Sequence, residues 1–170
     1  MVEPMIFDEE KIPTFDELLD DLTDEEVRIL SSHTEKVEFV PGETIFYEDE
    51  PSNYLYIVQQ GSVEISKMTD EVGEEYVAFV TLRPGNVFGE MSFLMNTKTS
   101  ATAVAKDHVV LYRINRNAFE DMIENHAAMA CKIYQAICQI LVYRLKRTDS
   151  KLVDLSAKFG IEDDSTVQSS

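Results

Sequence analysis

Positive charge is what this 170-residue sequence has least of: 15 lysines and arginines stand against 32 aspartates and glutamates, a formal net charge of −17. Contact with nucleic acid needs clustered cations to neutralise phosphates, and the field of such a chain repels that partner. The one basic gathering, Arg144, Lys146 and Arg147, falls on a predicted helix with another role. Direct nucleic-acid binding is therefore not expected. Cysteine is scarce too. Two residues without disulfide spacing indicate a reducing compartment rather than a cross-linked secreted scaffold. No long apolar run is present, and the acidic N-terminus is the reverse of a basic signal segment, so the expected setting is cytoplasmic and free of membrane. His33, His108 and His126 fall in separate elements, which excludes the close ligand spacing of a metal site. No Ser-His-Asp pattern or phosphate-cradling glycine motif occurs, and the acids sit on helix faces and turns, so no enzyme is expected.

What is there falls into three kinds of pattern. Residues 1–13 look like a flexible arm. "TFDELLDDLTDEEVRILSSH" then reads as helical, with Thr23 and Glu26 forming a capping box that starts a helix at Asp24. From Lys36 the pattern changes to short strands. "KVEFV", "ETIFYE", "NYLYIVQ", "GSVEISKM", "YVAFVTL" and "HVVLYRIN" are separated by Pro41-Gly42, Gly61, the acidic loop "TDEVGEE" and the turn Arg83-Pro84-Gly85-Asn86. In both Pro-Gly turns proline presets φ and glycine takes the positive φ that a type II turn demands. Many short strands at this spacing indicate a β-barrel or jelly roll.

The last third is helical again. Asn117 is the expected cap of "AFEDMIENH", and a longer helix starts near Ala127. Along it Ala127, Cys131, Tyr134, Cys138, Leu141, Leu145, Thr148, Leu152 and Leu155 alternate by four and three, a heptad seam. Met129, Ile133, Ile137 and Ile140 form a second stripe. Two stripes imply two surfaces to cover, the barrel and a partner helix; one broad stripe packed within the chain is the alternative. Cys131 and Cys138 read as small core residues, although in a parallel dimer each faces its twin within disulfide reach. The expected organisation is a barrel domain with N-terminal helices over 14–126, a dimerisation helix over 127–155, and a disordered tail over 156–170.

The most informative stretch is "NVFGEMSFLMNTKTSATAVA", from Asn86 to Ala105. Gly89 lets backbone approach a ligand, and Glu90 opens a helical turn whose N–H groups accept an anion. "TSA" adds N–H groups and two hydroxyls. Set beside "PGETIFYEDEPSNYLYIVQQGSVEI" and the long helix, this order resembles the cyclic nucleotide-binding domain over residues 14–150. The family includes catabolite activator proteins and the regulatory subunits of cyclic-AMP-dependent protein kinase.

The resemblance implies an eight-stranded jelly-roll barrel with N-terminal helices and a long C-terminal helix. It also implies a cyclic nucleotide ligand, cAMP or cGMP, and no metal. Gly89 and Glu90, followed by Met91, match the family's Gly-Glu, whose glutamate holds the ribose 2′-hydroxyl. Ser100 and Ala101 match the small pair that meets the cyclic phosphate. Thr99 stands where the family carries its phosphate-binding arginine, a loss on the order of 1.5–3 kcal/mol, about ten- to hundredfold in affinity. Lys98 is the nearest cation, though alternation in extended chain turns it toward solvent. Thr148 matches the threonine that reaches the purine, with Asp149 in place of the family's serine. The family's DNA-binding domain follows the long helix, and the residues after 150 are too few for one. The expected output is therefore a helix movement read by a protein partner from a homodimer joined through 127–155, unless the chain is a fragment of something longer. The alternative is a domain that has lost nucleotide binding and serves as an interaction module, or takes another small ligand.

Overall fold

The computed structural model describes residues 22–68 and 76–159, together with Glu17 and Asp20. The predicted arm, the start of the first predicted helix, the loop "TDEVGEE" and the tail from 160 lie outside the described residues. The chain divides into two compact units, one spanning 13–137 and one containing 138–159.

In the first unit, α1 (Asp24–Ser32) precedes β1 (Thr34–Phe39), β2 (Thr44–Phe46), β3 (Tyr54–Gln60), β4 (Val63–Met68), β5 (Tyr76–Leu82) and β6 (Val87–Phe88). A short helix α2 (Glu90–Met95), strands β7 (Thr102–Ala105) and β8 (Val109–Asn115), and helix α3 (Arg116–Asn125) follow. The last helix, α4 (Ala127–Phe159), runs four residues past the expected boundary at 155. The strands form two antiparallel four-stranded sheets, ordered β1-β8-β3-β6 and β2-β7-β4-β5. This is the jelly roll expected from the strand count.

Register puts one apolar face of each sheet inward. Val58 pairs with Leu111 and Val37 with Leu111 across β3-β8-β1, and Ile65 pairs with Ala103 across β4-β7. Val58, Leu111, Ile65 and Ala103 join Val63, Val109 and Ala105 in one buried cluster, with Val37 half-buried against it. Each fully buried aliphatic side chain contributes about 1.5–3 kcal/mol, so this cluster is what closes the two sheets on each other. The Pro-Gly turns form as expected: the Glu43 N–H donates to the Val40 carbonyl at 3.0 Å and the Asn86 N–H to the Arg83 carbonyl at 3.0 Å. Gly42 and Gly85 take φ of +83° and +84°. Glu43 and Asn86 also fold their side chains back to accept from the N–H of Val40 and Arg83.

One cap differs from expectation. Asn115, not Asn117, caps α3: its side chain accepts from the Asn117 N–H at 2.9 Å while its own backbone is still extended. The final β8 residue thus doubles as helix cap, leaving no linker between strand and helix. Against the barrel unit, α3 buries Phe119 and Met122, and α4 buries Met129, Ile133 and Ile137.

The predicted capping box is present. The Thr23 hydroxyl accepts from the Glu26 N–H, and the Glu26 carboxylate accepts from the Thr23 N–H at 2.8 Å. The same carboxylate takes a second charge, with Lys132 Nζ on α4 at 2.8 Å. Lys132, then the Thr23 N–H, hold the Glu26 carboxyl below its ordinary value of 4.5. A depressed folded-state value makes this contribution fully present above about pH 4.5 and lost as pH falls through the lower folded value. We therefore expect Glu26→Gln to melt below the native protein at pH 7, and the difference to vanish on acidification. Melting curves across pH 2–7 check this; a gap unchanged at low pH would remove the ionised cap from the account.

Candidate functional site

The site is built on the segment between β6 and β7. Gly89 adopts φ +74°, a left-handed conformation costly for any residue with a Cβ. A Cβ there would also stand 2.9 Å from the Tyr54 carbonyl oxygen and 3.1 Å from the Tyr56 ring. Glycine is thus required twice over, by backbone angle and by contact with β3. The bend turns the chain at once into α2, whose first turn closes through the Phe93 N–H and the Ser92 hydroxyl, both donating to the Gly89 carbonyl at 3.1 Å.

Glu90 is buried, 7% exposed, on the inner side of this helix, as are Ser92 and Phe93. Met91 lies on the outer side with Met95. The wall behind Gly89 is aromatic: Tyr56 stacks on Phe88 at 5.0 Å between ring centres, and Phe46 packs 5.7 Å from Tyr56. Burial pushes the Tyr56 phenol up, against the pull of Arg113 and Ser52. Arg113 lies 4.2 Å over the Tyr54 ring and pairs with Glu35 at 2.8 Å.

The second arm of the segment holds Lys98 to Thr102. Thr99 is buried, 4% exposed, and fully engaged. Its hydroxyl donates to the Tyr47 carbonyl and accepts from the Glu50 N–H at 3.2 Å, with the Glu50 carbonyl a second acceptor at 3.2 Å. Its backbone N–H donates to the Glu50 carbonyl and its carbonyl accepts from the Asp49 N–H, both at 2.9 Å. Asp49 itself is a non-glycine residue at φ +61°. The threonine therefore staples a strained turn between β2 and β3 onto the cassette. Next to it the Thr102 hydroxyl accepts from the Glu48 N–H at 3.0 Å, and Lys98 bridges Pro51 through backbone.

Of the expected binding residues, the first unit brings Gly89, Glu90, Met91, Lys98, Thr99, Ser100 and Ala101 into one continuous segment. The Lys98 side chain is exposed. Ser100 is exposed and donates its hydroxyl toward the Met91 sulfur at 3.6 Å, while Ala101 is buried. Thr148 lies in the second unit, exposed on α4, donating to the Arg144 carbonyl at 2.9 Å. The two hydroxyls expected of "TSA" are thus unlike: that of Ser100 faces outward, and that of Thr99 is consumed by the turn.

Sequence reasoning missed the residues behind the cassette. Phe93 on α2 packs 5.4 Å from Phe119 on α3, and Phe119 meets Tyr134 on α4 edge-on at 5.0 Å. Arg116, at the start of α3, donates to the Ser92 carbonyl at 3.3 Å with its guanidinium 5.5 Å from the Phe93 ring centre. Its Nε is buried without a partner among the described residues. The available signal was Phe93 itself, four residues after Gly89 and so on the face away from Met91 and Met95. Among the described residues no group of His, Cys, Asp and Glu is placed to hold a metal ion, and no helix is long and apolar enough to cross a membrane.

The staple has a measurable weight. Thr99→Val keeps the shape but leaves the Glu50 N–H and the Tyr47 carbonyl without their buried partner, and we expect a loss of about 1–3 kcal/mol. Gly89→Ala adds steric overlap to a left-handed backbone, with an expected loss of about 1–3 kcal/mol. Urea unfolding of both variants measures this; values within error of the native protein would mean that neither contact holds the cassette.

The profile of the cyclic nucleotide-binding domain matches residues 36–126. The CRP-like cAMP-activated global transcriptional regulator of Mycobacterium tuberculosis is 27% identical over 129 residues, 76% of this chain and 55% of that protein. The chain thus spans about half the length of the curated relatives it matches. The catabolite activator protein of Thermus thermophilus superposes with a TM-score of 0.70 at 29% identity, over 82% of this chain and 62% of that one. A cyclic nucleotide-binding domain from Methylobacillus flagellatus, at 22% identity, shares the fold with a TM-score of 0.74 over 82% of this chain and 83% of its own. The matched region exceeds half of the sequence and contains every cassette position from Gly89 to Ala101: the chain belongs to the cyclic nucleotide-binding domain family.

Proposed function

We propose that the protein is a non-enzymatic regulatory module in which the state of the cassette is passed to helix α4 and from there to a protein partner, with α4 also joining two copies of the chain. The observation that carries this reading is the aromatic chain Phe93–Phe119–Tyr134, which links the cassette helix through α3 to α4 without a break. Packed rings of this kind have discrete arrangements rather than a continuum, so a shift of α2 is transmitted as a change of packing at Tyr134. The ligand of this reading is a cyclic nucleotide. Glu90 is the group for the ribose hydroxyl, and Ser100 with the N–H groups of Ser100 and Ala101 meets the phosphate.

A second reading is favoured by Thr99. Its hydroxyl and both backbone polar groups are satisfied by the turn at 47–50, which gives the segment a fixed conformation without any ligand. In that reading the cassette is scaffold and the chain acts as an interaction module.

Calorimetry with cAMP and cGMP separates the two. The sensor reading expects heat from the native protein that disappears in Glu90→Ala, and a gain of about ten- to hundredfold in affinity for Thr99→Arg. Silence from the native protein with binding by Thr99→Arg establishes the scaffold reading. In a binding protein, Phe119→Ala should retain the heat while abolishing any ligand-dependent change in hydrogen exchange along α4; an unaltered exchange response would sink the aromatic route.

A further inference from the structure

Helix α4 carries a face that the described residues leave exposed. Met129, Ile133 and Ile137 are buried, whereas Cys131, Cys138, Leu145, Leu152, Leu155 and Phe159 are exposed. The exposed set keeps the alternation of four and three through to Phe159. Cys131, Cys138, Leu145, Leu152 and Phe159 take position a of a heptad, and Tyr134, Leu141, Thr148 and Leu155 take position d. From Cys131 to Phe159 the seam is roughly 40 Å long at about 1.5 Å per residue, which is four heptads.

The flanking charges name the occupant. Position g of three successive heptads holds Arg144, Lys151 and Lys158, and position e holds Asp149. In a parallel pair g faces the e position of the following heptad on the other helix, so Arg144 meets Asp149 of the second copy twice over by symmetry. An antiparallel pair would set the basic g positions against each other. Charge complementarity therefore selects a second copy of this chain, parallel and in register.

We propose that this register makes Cys131 and Cys138 redox-sensitive cross-linking sites, each joined to its own twin across the dimer. The proposal rests on the homodimer of the preceding reading. Helix axes in such a pair lie about 8–10 Å apart with Cα atoms about 2.3 Å from each axis, which brings directly facing a positions to about 3.4–5.4 Å between Cα atoms. That overlaps the disulfide range of about 4.4–6.8 Å. Within one helix the two cysteines are about 10 Å apart along the axis, so no bridge forms inside a chain.

The oxidant is a hydroperoxide. One thiol loses its proton, and the thiolate attacks the peroxide oxygen and breaks the O–O bond, giving a sulfenic acid and expelling hydroxide or alkoxide, which takes that proton and leaves as water or an alcohol. The twin thiolate attacks that sulfur, forms the S–S bond and expels hydroxide, which leaves as water after taking a proton. Two thiols are oxidised by two electrons and one peroxide is reduced. Both thiols are exposed on the unpaired helix, so peroxide reaches them each time the dimer opens, and reclosing sets the twin thiols together. The cross-link holds the two α4 helices in the paired register whatever the cassette contains, which overrides the signal arriving at Tyr134.

The full chain is tested in two steps. Sedimentation in reductant should show a dimer, and hydrogen peroxide should then yield a species of twice the 19.4 kDa chain mass on non-reducing gels, reversed by thiol. Cys131→Ser and Cys138→Ser should each still cross-link. The double serine variant should remain a dimer without cross-linking, and Leu152→Glu should lose both dimer and cross-link. Peptide mapping should find 131–131 and 138–138 linkages. A dimer in reductant that peroxide leaves uncrosslinked, or one carrying only 131–138 linkages, overturns the redox proposal and leaves the dimer standing. A monomer in reductant overturns the dimer itself.

Discussion

The contact on which the site depends is the approach of Gly89 to strand β3. With less than 3 Å between the Tyr54 carbonyl and the place of a side chain at Gly89, the chain leaves β6 and turns in one residue. Everything after that turn is fixed by it. Glu90 begins a helix pressed against the barrel, and its side chain is buried as a consequence. Phe93, one turn later, has only one direction left, toward Phe119 and Arg116. From there Phe119 meets Tyr134, on the first part of α4, edge-on. A left-handed glycine thus begins a run of contacts that reaches Tyr134 on α4.

The features legible in the sequence are those whose causes are local. The Pro-Gly turns and the capping box of Thr23 and Glu26 are written in four consecutive residues each, and both formed as read. Helix α3 shows where local reading stops. Asn115 and Asn117 are both competent caps, and the choice was settled by β8, whose pairing with β3 keeps Asn115 extended through its register with Tyr54. The strand pattern likewise gave the jelly roll, because alternation has one meaning when both sheets must bury a face. Thr99 was not legible. Its partners lie some fifty positions earlier, at Tyr47 and Glu50, and no pattern along the chain announces a hydroxyl that closes a distant turn. The cysteines went the same way: small residues on an apolar stripe suit a core, but the structure buries the other stripe and exposes both thiols.

Thr99 also shows why the family's arginine cannot simply be regarded as missing. An arginine at this position is a long cation whose partner is the ligand, and without ligand it must find solvent or an acid. A threonine is short, and its partners are backbone groups of the same chain. Threonine at this position fixes the turn at 47–50, where Asp49 holds a left-handed conformation that needs outside support. The local field agrees with this. Glu48, Asp49 and Glu50 follow one another in that turn, and a phosphate brought beside them meets repulsion that an arginine would have offset. A ligand at Glu90 would have little electrostatic help, which would place the weight on hydroxyl and amide contacts.

Charge settles the last question as it did the first. In a chain of net −17, self-association is opposed everywhere except where cations are concentrated. Arg144, Lys151 and Lys158 on α4 recur every seven residues beside the exposed seam, with Asp149 in the complementary position. A nucleic-acid surface would need cations spread across a face, unconstrained by heptad phase. In the proposed dimer, cations locked to the phase of an apolar seam steer one helix onto its copy and penalise the reversed orientation.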